Sequence, residues 1–166
     1  MDPANEQNDA LSRVTLDAAR RNIPLEIVPR AAAASLREAA DLLGIEPERL
    51  VKTLVLKRSD GSFLFVLVPG GRAMSWPKLR ALLSVNKLSL PNEQAAFEVT
   101  GYRRGTITPF GSRTSLPVVV DQSVFQDLPS PTIALGSGDP RHALFVDPQA
   151  LVNGFGATVA DISSPE

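Results

Sequence analysis

Apolar positions along the chain follow two periods, and the switches between them mark the expected elements. From Asp9 to Arg21, Leu11, Val14, Leu16 and Ala18 recur at helical spacing, and Asn22 and Pro24 end the run. The polar residues 1–8 before it are expected to be disordered. Leu25-Glu26-Ile27-Val28 alternates, as a short strand does. A second helix is signalled by Ser35 and Glu38 at capping-box spacing and by Leu36, Ala39, Ala40 and Leu43 on one face, with Gly44 placed to close it. Pro47 to Leu50 adds one turn.

A hairpin follows. Val51 to Arg58 and Ser62 to Val68 are rich in Val, Leu and Phe, and Ser59-Asp60-Gly61 between them is a turn signal. Phe63 to Val68 is apolar at both parities, which predicts a central strand covered on each face. Helices are expected over Ser75 to Leu83, capped by Ser75, and over Pro91 to Val99, with a short strand at Lys87 to Leu90 between them. Thr100 to Leu116, with three glycines and many polar residues, reads as a long loop, and loops of that length in compact domains are often functional. Strands are expected at Pro117–Asp121, Thr132–Leu135, Ala143–Val146 and Ala157–Ile162, with a helix opened by Asp147-Pro148 and running through Val152. The chain shows no repeat and no linker, so the fold expected over residues 1–166 is a single mixed-sheet α/β domain with surrounding helices.

Composition narrows the function classes. At 166 residues with 43% apolar content the chain can bury a core without covalent staples. The sequence holds no cysteine, which excludes disulfides, Cys-ligated zinc and thiol catalysis and fits a reducing compartment. No apolar run is long enough to span a bilayer, and Met1 to Ala10 is too acidic and polar for a signal peptide, so a cytoplasmic protein without membrane contact is expected. A net charge of −1 argues against broad duplex binding but permits a site that holds one terminal nucleotide and a few phosphates.

The usual catalytic motifs are missing. His142 is the only histidine, and the sequence holds no HExxH, GxSxG or Walker pattern; no metal and no cofactor is expected. A Ser-His-Asp triad would need His142. Three polar or glycine-rich places beside apolar strands remain. Lys52-Thr53 opens the hairpin; Lys52 reads either as a strand-end lysine whose stem covers apolar neighbours or as a cation placed to hold a phosphate or polarise an ester. Gly101-Tyr102-Arg103-Arg104-Gly105-Thr106-Ile107-Thr108-Pro109-Phe110-Gly111 is either a plain surface loop or a loop whose backbone N–H groups approach a ligand, with Arg103, Arg104 and Arg113 adding charge that can meet phosphates. Gly136-Ser137-Gly138 is either a tight turn or a third point of close backbone approach.

In this order the three places resemble the YbaK/prolyl-tRNA synthetase-associated editing domain family. The likeness runs from about Leu25 to Ile162. It takes in the Ala32–Gly44 helix, Val51-Lys52-Thr53-Leu54-Val55, Thr100-Gly101-Tyr102, a GxxxP stretch from Gly105 to Pro109, Gly111, the strand Leu116 to Asp121, and Gly136-Ser137-Gly138. The resemblance implies a mixed-sheet α/β fold and hydrolysis of the ester of mischarged tRNA, with tRNA(Pro) carrying Cys, Ala or another small amino acid as the usual substrate. It places Lys52 and Gly105 as catalytic residues. Thr53, Gly101, Tyr102, Thr106, Ile107, Thr108, Pro109, Gly111, Gly136, Ser137 and Gly138 are placed around the aminoacyl end. The partners it implies are the 3′ end of aminoacyl-tRNA and prolyl-tRNA synthetase; the sequence sets neither the amino acid removed nor the oligomeric state. It also implies that backbone groups and substrate hydroxyls replace a protein base, consistent with an ester that is already activated. Such an activity has a physical rationale: one missing methylene is worth only about 1–3 kcal/mol, so a synthetase pocket admits smaller residues and a second sieve restores accuracy. The alternative is a non-catalytic tRNA-end or protein-binding module on the same fold, and a Ser-His esterase built on His142 is a third reading.

Overall fold

A computed structural model of the protein describes residues 3–166, with side chains from Asp9 onward. Residues 1–2 of the stretch expected to be disordered lie outside that description, and from Pro3 onward its backbone belongs to the first helix, which begins six residues before the expected Asp9. In chain order the elements are α1 (Pro3–Arg20), β1 (Leu25–Pro29), α2 (Leu36–Leu43), a 3-10 turn (Pro47–Arg49), β2 (Val51–Arg58), β3 (Phe63–Pro69), β4 (Arg72–Met74), α3 (Trp76–Leu83), β5 (Leu88–Ser89), α4 (Glu93–Thr100), β6 (Val118–Asp121), a 3-10 turn (Gln122–Phe125), β7 (Ile133–Gly136), β8 (His142–Val146), α5 (Pro148–Phe155), β9 (Thr158–Ala160) and β10 (Ser163–Pro165).

The central sheet has five strands in the order β5-β2-β3-β6-β9. It is mixed: β2 and β3 form the antiparallel hairpin, whereas β6 joins β3 and β9 joins β6 in parallel. β3 is central, as its two-faced apolar pattern requires. Phe65 and Leu67 enter one buried cluster with Val118 and Val120, and Leu64, Val66 and Val68 enter another with Leu79, Val119 and Ile162. Each such fully buried side chain stabilises the fold by roughly 1.5–3 kcal/mol. A smaller antiparallel sheet, β1-β8-β7, closes over the first cluster through Ile133, Leu135, Leu144 and Val146. Among the described residues an isolated parallel bridge, Leu50 to Ala134, links it to the start of β2 in the central sheet. α1 lies on the same cluster with Ala10, Val14 and Ala18, four residues apart and buried.

Helix ends follow their sequence signals. Ser35 accepts from the Glu38 N–H, and Gly44 closes α2 at φ 73°. Ser75, Asn92 and Asp147 cap α3, α4 and α5 in the same way. Three elements differ from expectation. α5 runs to Phe155, until Gly156 turns into the left-handed region. The strand expected over 157–162 is split into β9 and β10, because the Ile162 N–H turns to the Asp121 carboxylate and its carbonyl accepts from Ser75. β10 then pairs with β4, a strand too short to show alternation.

Asp121 anchors that split. It is buried and accepts from Ile162 N at 3.0 Å, from Ser123 N at 3.1 Å and from the Ser123 hydroxyl. Burial pushes its carboxyl up, but the bonds from Ser123, Ile162 and Ser163 together outweigh it and hold the group below the usual value. A depressed carboxyl contributes stability that is present above the unfolded value, about 3.9, and is lost as pH falls through the lower folded value. Asp121→Asn is therefore expected to flatten the acid limb of stability below about pH 4. Urea unfolding of both proteins between neutral and acid pH measures this.

Candidate active site

Where the two sheets part beyond the Leu50–Ala134 bridge, a cavity of about 420 Å³ opens. Its size lies toward the lower end of small-ligand sites, roughly 300–1,000 Å³. One wall is β2. Consecutive residues Val51 to Val55 all border the cavity, so the strand presents an edge and not one face. That edge is open because β5 pairs with β2 only at Lys57 and Arg58. Leu135 and Gly136 of β7 and Ala143 of β8 form the opposite wall, and Gly105 and Ile107 contribute from the loop between α4 and β6. Leu36 and Leu43 of α2, with Leu90, Pro91, Glu93 and Ala96 around the start of α4, complete it. The interior is therefore mainly apolar. The charged residues that border it are Arg30, Lys52, Arg104 and one carboxylate, Glu93.

Two kinds of polar group in the wall have no protein partner among the described residues. The Thr53 hydroxyl is buried without a hydrogen bond. Gly105 and Ile107 donate their backbone N–H to no acceptor, whereas the Thr106 N–H between them bonds Arg103 O at 3.0 Å. Unmade hydrogen bonds of this kind cost about 1–3 kcal/mol each when dry, so a ligand or water is the natural partner. Lys52, half-exposed at the cavity, has its Nζ 3.4 Å from Arg72 O and 3.7 Å from a Glu166 carboxylate oxygen.

The loop keeps its shape through contacts made from behind. Gly138 donates to Thr106 O at 2.8 Å. A Cβ on Gly136 would lie 2.7 Å from Ile107 O and 2.9 Å from Thr106 O, and one on Gly138 would lie 2.5 Å from the Tyr102 ring. Tyr102 is buried, and its hydroxyl donates to Phe110 O at 2.8 Å; burial pushes that hydroxyl's pKa up, with Arg13 opposing. Gly111 donates to the Asp17 carboxylate of α1 at 2.9 Å.

Of the residues expected at the site, the fold thus brings Lys52, Thr53, Gly105, Ile107 and Gly136 to one cavity. The others do not border it. Tyr102, Thr106, Thr108, Pro109, Ser137 and Gly138 support the wall from within the core. Gly101 closes α4 at φ 82°, and Gly111 ties the loop to α1. Ser137 is buried and turns its hydroxyl to the His142 carbonyl at 2.7 Å, while the His142 ring pairs with Asp139 at 3.0 Å. The two therefore form no Ser-His pair. Arg30, Glu93, Ala96 and Ala143 were missed by sequence reasoning. Each is an ordinary residue of a strand end or helix, with no motif to mark it.

This architecture and cavity define an editing domain: residues 30–153 match the aminoacyl-tRNA editing domain model, and the chain belongs to that family. Its relatives include the proline–tRNA ligase of Thermosipho melanesiensis, 33% identical over 90 residues, which are 54% of this chain and 16% of the ligase. The proline–tRNA ligase of Desulforamulus reducens is 30% identical over 119 residues, 72% of this chain and 21% of the ligase. The chain thus spans about a fifth or less of the curated relatives it matches. A solved structure proposed to be a trans-editing enzyme for prolyl-tRNA synthetase superposes with a TM-score of 0.83 at 28% identity, over 93% of this chain and 97% of that one.

Thr53→Val removes the orphaned hydroxyl and keeps the shape. It is expected to leave stability unchanged or raise it by about 1 kcal/mol, since no bond is lost, while weakening binding of a 3′-aminoacyl-adenosine analogue several-fold. Thermal unfolding and calorimetric titration check the two halves.

Proposed function

We propose that the protein is an aminoacyl-tRNA deacylase that hydrolyses the ester of mischarged tRNA, with tRNA(Pro) carrying Cys, Ala or another small amino acid as substrate. One observation carries this reading: Lys52, Thr53 with its buried unpaired hydroxyl, and Gly105 and Ile107, whose backbone N–H groups have no protein acceptor among the described residues, all border one mainly apolar cavity. A cavity of this volume has room for a terminal nucleoside and a small aminoacyl group, not for the body of a tRNA. Family membership and the structural likeness to a protein proposed to be a trans-editing enzyme support the same reaction class.

In this reading Lys52 holds the phosphate side of the terminal adenosine. Thr53 fixes a ribose hydroxyl or the α-amino group, and Glu93 receives the α-ammonium. Gly105 and Ile107 donate to the carbonyl oxygen as it gains charge, where preorganised donors act most strongly. Water adds to the carbonyl carbon, the bond to the ribose oxygen breaks, and the proton lost by water passes to that oxygen. No side-chain base is required, because the ester is activated and positioning supplies much of the acceleration. Gly101, Tyr102, Thr106, Thr108, Pro109, Gly111, Ser137 and Gly138 act by holding the loop, and prolyl-tRNA synthetase is the proposed source of the mischarged substrate. Among the described residues no helix is long and apolar enough to cross a membrane.

Incubation of the protein with Cys-, Ala-, Ser- and Pro-charged tRNA(Pro) tests the reading. Loss of ester from at least one noncognate species is expected; binding without hydrolysis at enzyme excess would favour the non-catalytic module instead. Lys52→Ala is expected to lower kcat/KM at least tenfold, about 1.4 kcal/mol. Its stability should stay within about 1 kcal/mol of wild type, because the lysine's ion pair is exposed. His142→Ala should retain activity within about twofold, as the ring lies off the cavity.

A further inference from the structure

A group of arginines beside the cavity is unused by the chemistry above. Arg103 places its guanidinium 3.8 Å from the centre of the Phe97 ring, and Arg113 lies 5.4 Å from the same centre. Arg13, on α1, stacks over Tyr102 at 5.1 Å. Arg13 and Arg113 converge beside Gly101: a Cβ there would lie 3.2 Å from Arg13 Nη2 and 3.7 Å from Arg113 Nε. Arg104, next in the chain to Arg103, borders the cavity itself.

Like charges do not gather without a reason, and among the described residues no carboxylate lies within salt-bridge distance of them. Among the described residues none of Arg13, Arg103, Arg104 and Arg113 forms a salt bridge, although Arg21, Lys52, Arg72, Lys78 and His142 do. Of the nearby carboxylates, Asp17 is paired with Arg21 and holds the Gly111 N–H, and Glu98 accepts from the neutral Gln94 amide and bonds none of these arginines through its carboxylate. Arg13, Arg103 and Arg113 each make a contact that directs the guanidinium. Arg13 donates one N–H to Gly111 O, Arg113 donates one to Glu98 O, and Arg103 rests on the ring. An arginine has five N–H donors, so most stay free for phosphate oxygens.

We propose that Arg13, Arg103 and Arg113 form a docking surface for the sugar-phosphate backbone of RNA, continuous through Arg104 with the cavity that takes the terminal nucleotide. The proposal rests on the deacylase reading for the identity of that RNA, a tRNA acceptor stem. Its charge complementarity is with a strand leading away from the cavity. It reconciles a near-neutral chain with an RNA substrate, since the positive charge is concentrated where the stem emerges. It also gives α1, which precedes the family-matching residues 30–153, a part in substrate binding.

The test is the salt dependence of binding to an uncharged RNA hairpin of acceptor-stem length ending in single-stranded CCA. Each phosphate contact contributes about 0.9 to the slope of log affinity against log salt. The variant combining Arg13→Gln, Arg103→Gln and Arg113→Gln is expected to bind more weakly, with a slope shallower by about 2–3. Lysine at the three positions should restore the slope. Should the triple variant fail to fold, each single change is expected to reduce the slope by about one. Wild-type affinity and slope in folded glutamine variants would overturn the proposal, as would loss of a poly-glutamate ligand without loss of the hairpin. No arm reads catalysis. A protein that hydrolyses no charged tRNA yet shows the slope change would defeat the deacylase reading and leave this surface standing.

Discussion

The close approach of two irregular backbone segments is the contact on which the cavity depends. The turn after β7 presses against the loop between α4 and β6 with no room for a side chain at either glycine. A Cβ on Gly136 would meet the Thr106 and Ile107 carbonyls, and one on Gly138 would meet the Tyr102 ring. The Gly138 N–H bond to Thr106 O fixes the register of that contact. With Thr106 pinned on both sides, its neighbours Gly105 and Ile107, which border the cavity, have no protein acceptor for their N–H groups among the described residues. Tyr102, Phe110 and the Asp17–Gly111 bond brace the same loop from α1. Rigid support behind a loop is what lets backbone donors act on charge as it develops, without reorganising at that moment.

The electrostatic layout follows from the sheet topology. An apolar interior made by Val51, Val55, Leu135 and Ala143 lowers the local dielectric and strengthens the few polar contacts inside. Charge is confined to Arg30, Lys52, Arg104 and Glu93 at the border. Lys52 reaches its place because β2 starts at Val51, directly after the 3-10 turn, and β4 offers the Arg72 carbonyl.

Much of the fold could be read from the chain. The β2–β3 hairpin, the capped α2, α3 and α4, and the central position of β3 all carry strong local signals. What escaped were elements held by distant partners. β4 and β10 are only three residues long, and exist because each pairs with the other and Asp121 captures Ile162. Of the candidate site residues, Lys52, Thr53, Gly105, Ile107 and Gly136 border the cavity, where glycine or a polar residue interrupts an apolar run. Tyr102 and Ser137 sit in the same motifs but face the core, because periodicity has no meaning in a loop and cannot tell a lining residue from a supporting one. Arg30, Glu93, Ala96 and Ala143 carried no signal at all. Arg13 was equally silent, since its place beside Arg113 depends on α1 lying across the loop.

The central claim is that one cavity binds an aminoacyl-adenosine through the backbone of Gly105 and Ile107 together with Lys52 and Thr53. Titration of the isotopically labelled protein with a non-hydrolysable 3′-aminoacylamino-adenosine, followed by amide NMR, tests it most directly. The account predicts saturable shifts largest at Gly105, Ile107, Lys52 and Thr53, with His142 little affected. Saturation with the largest shifts at His142 and Ser137, or none at the Gly105–Ile107 amides, would contradict it.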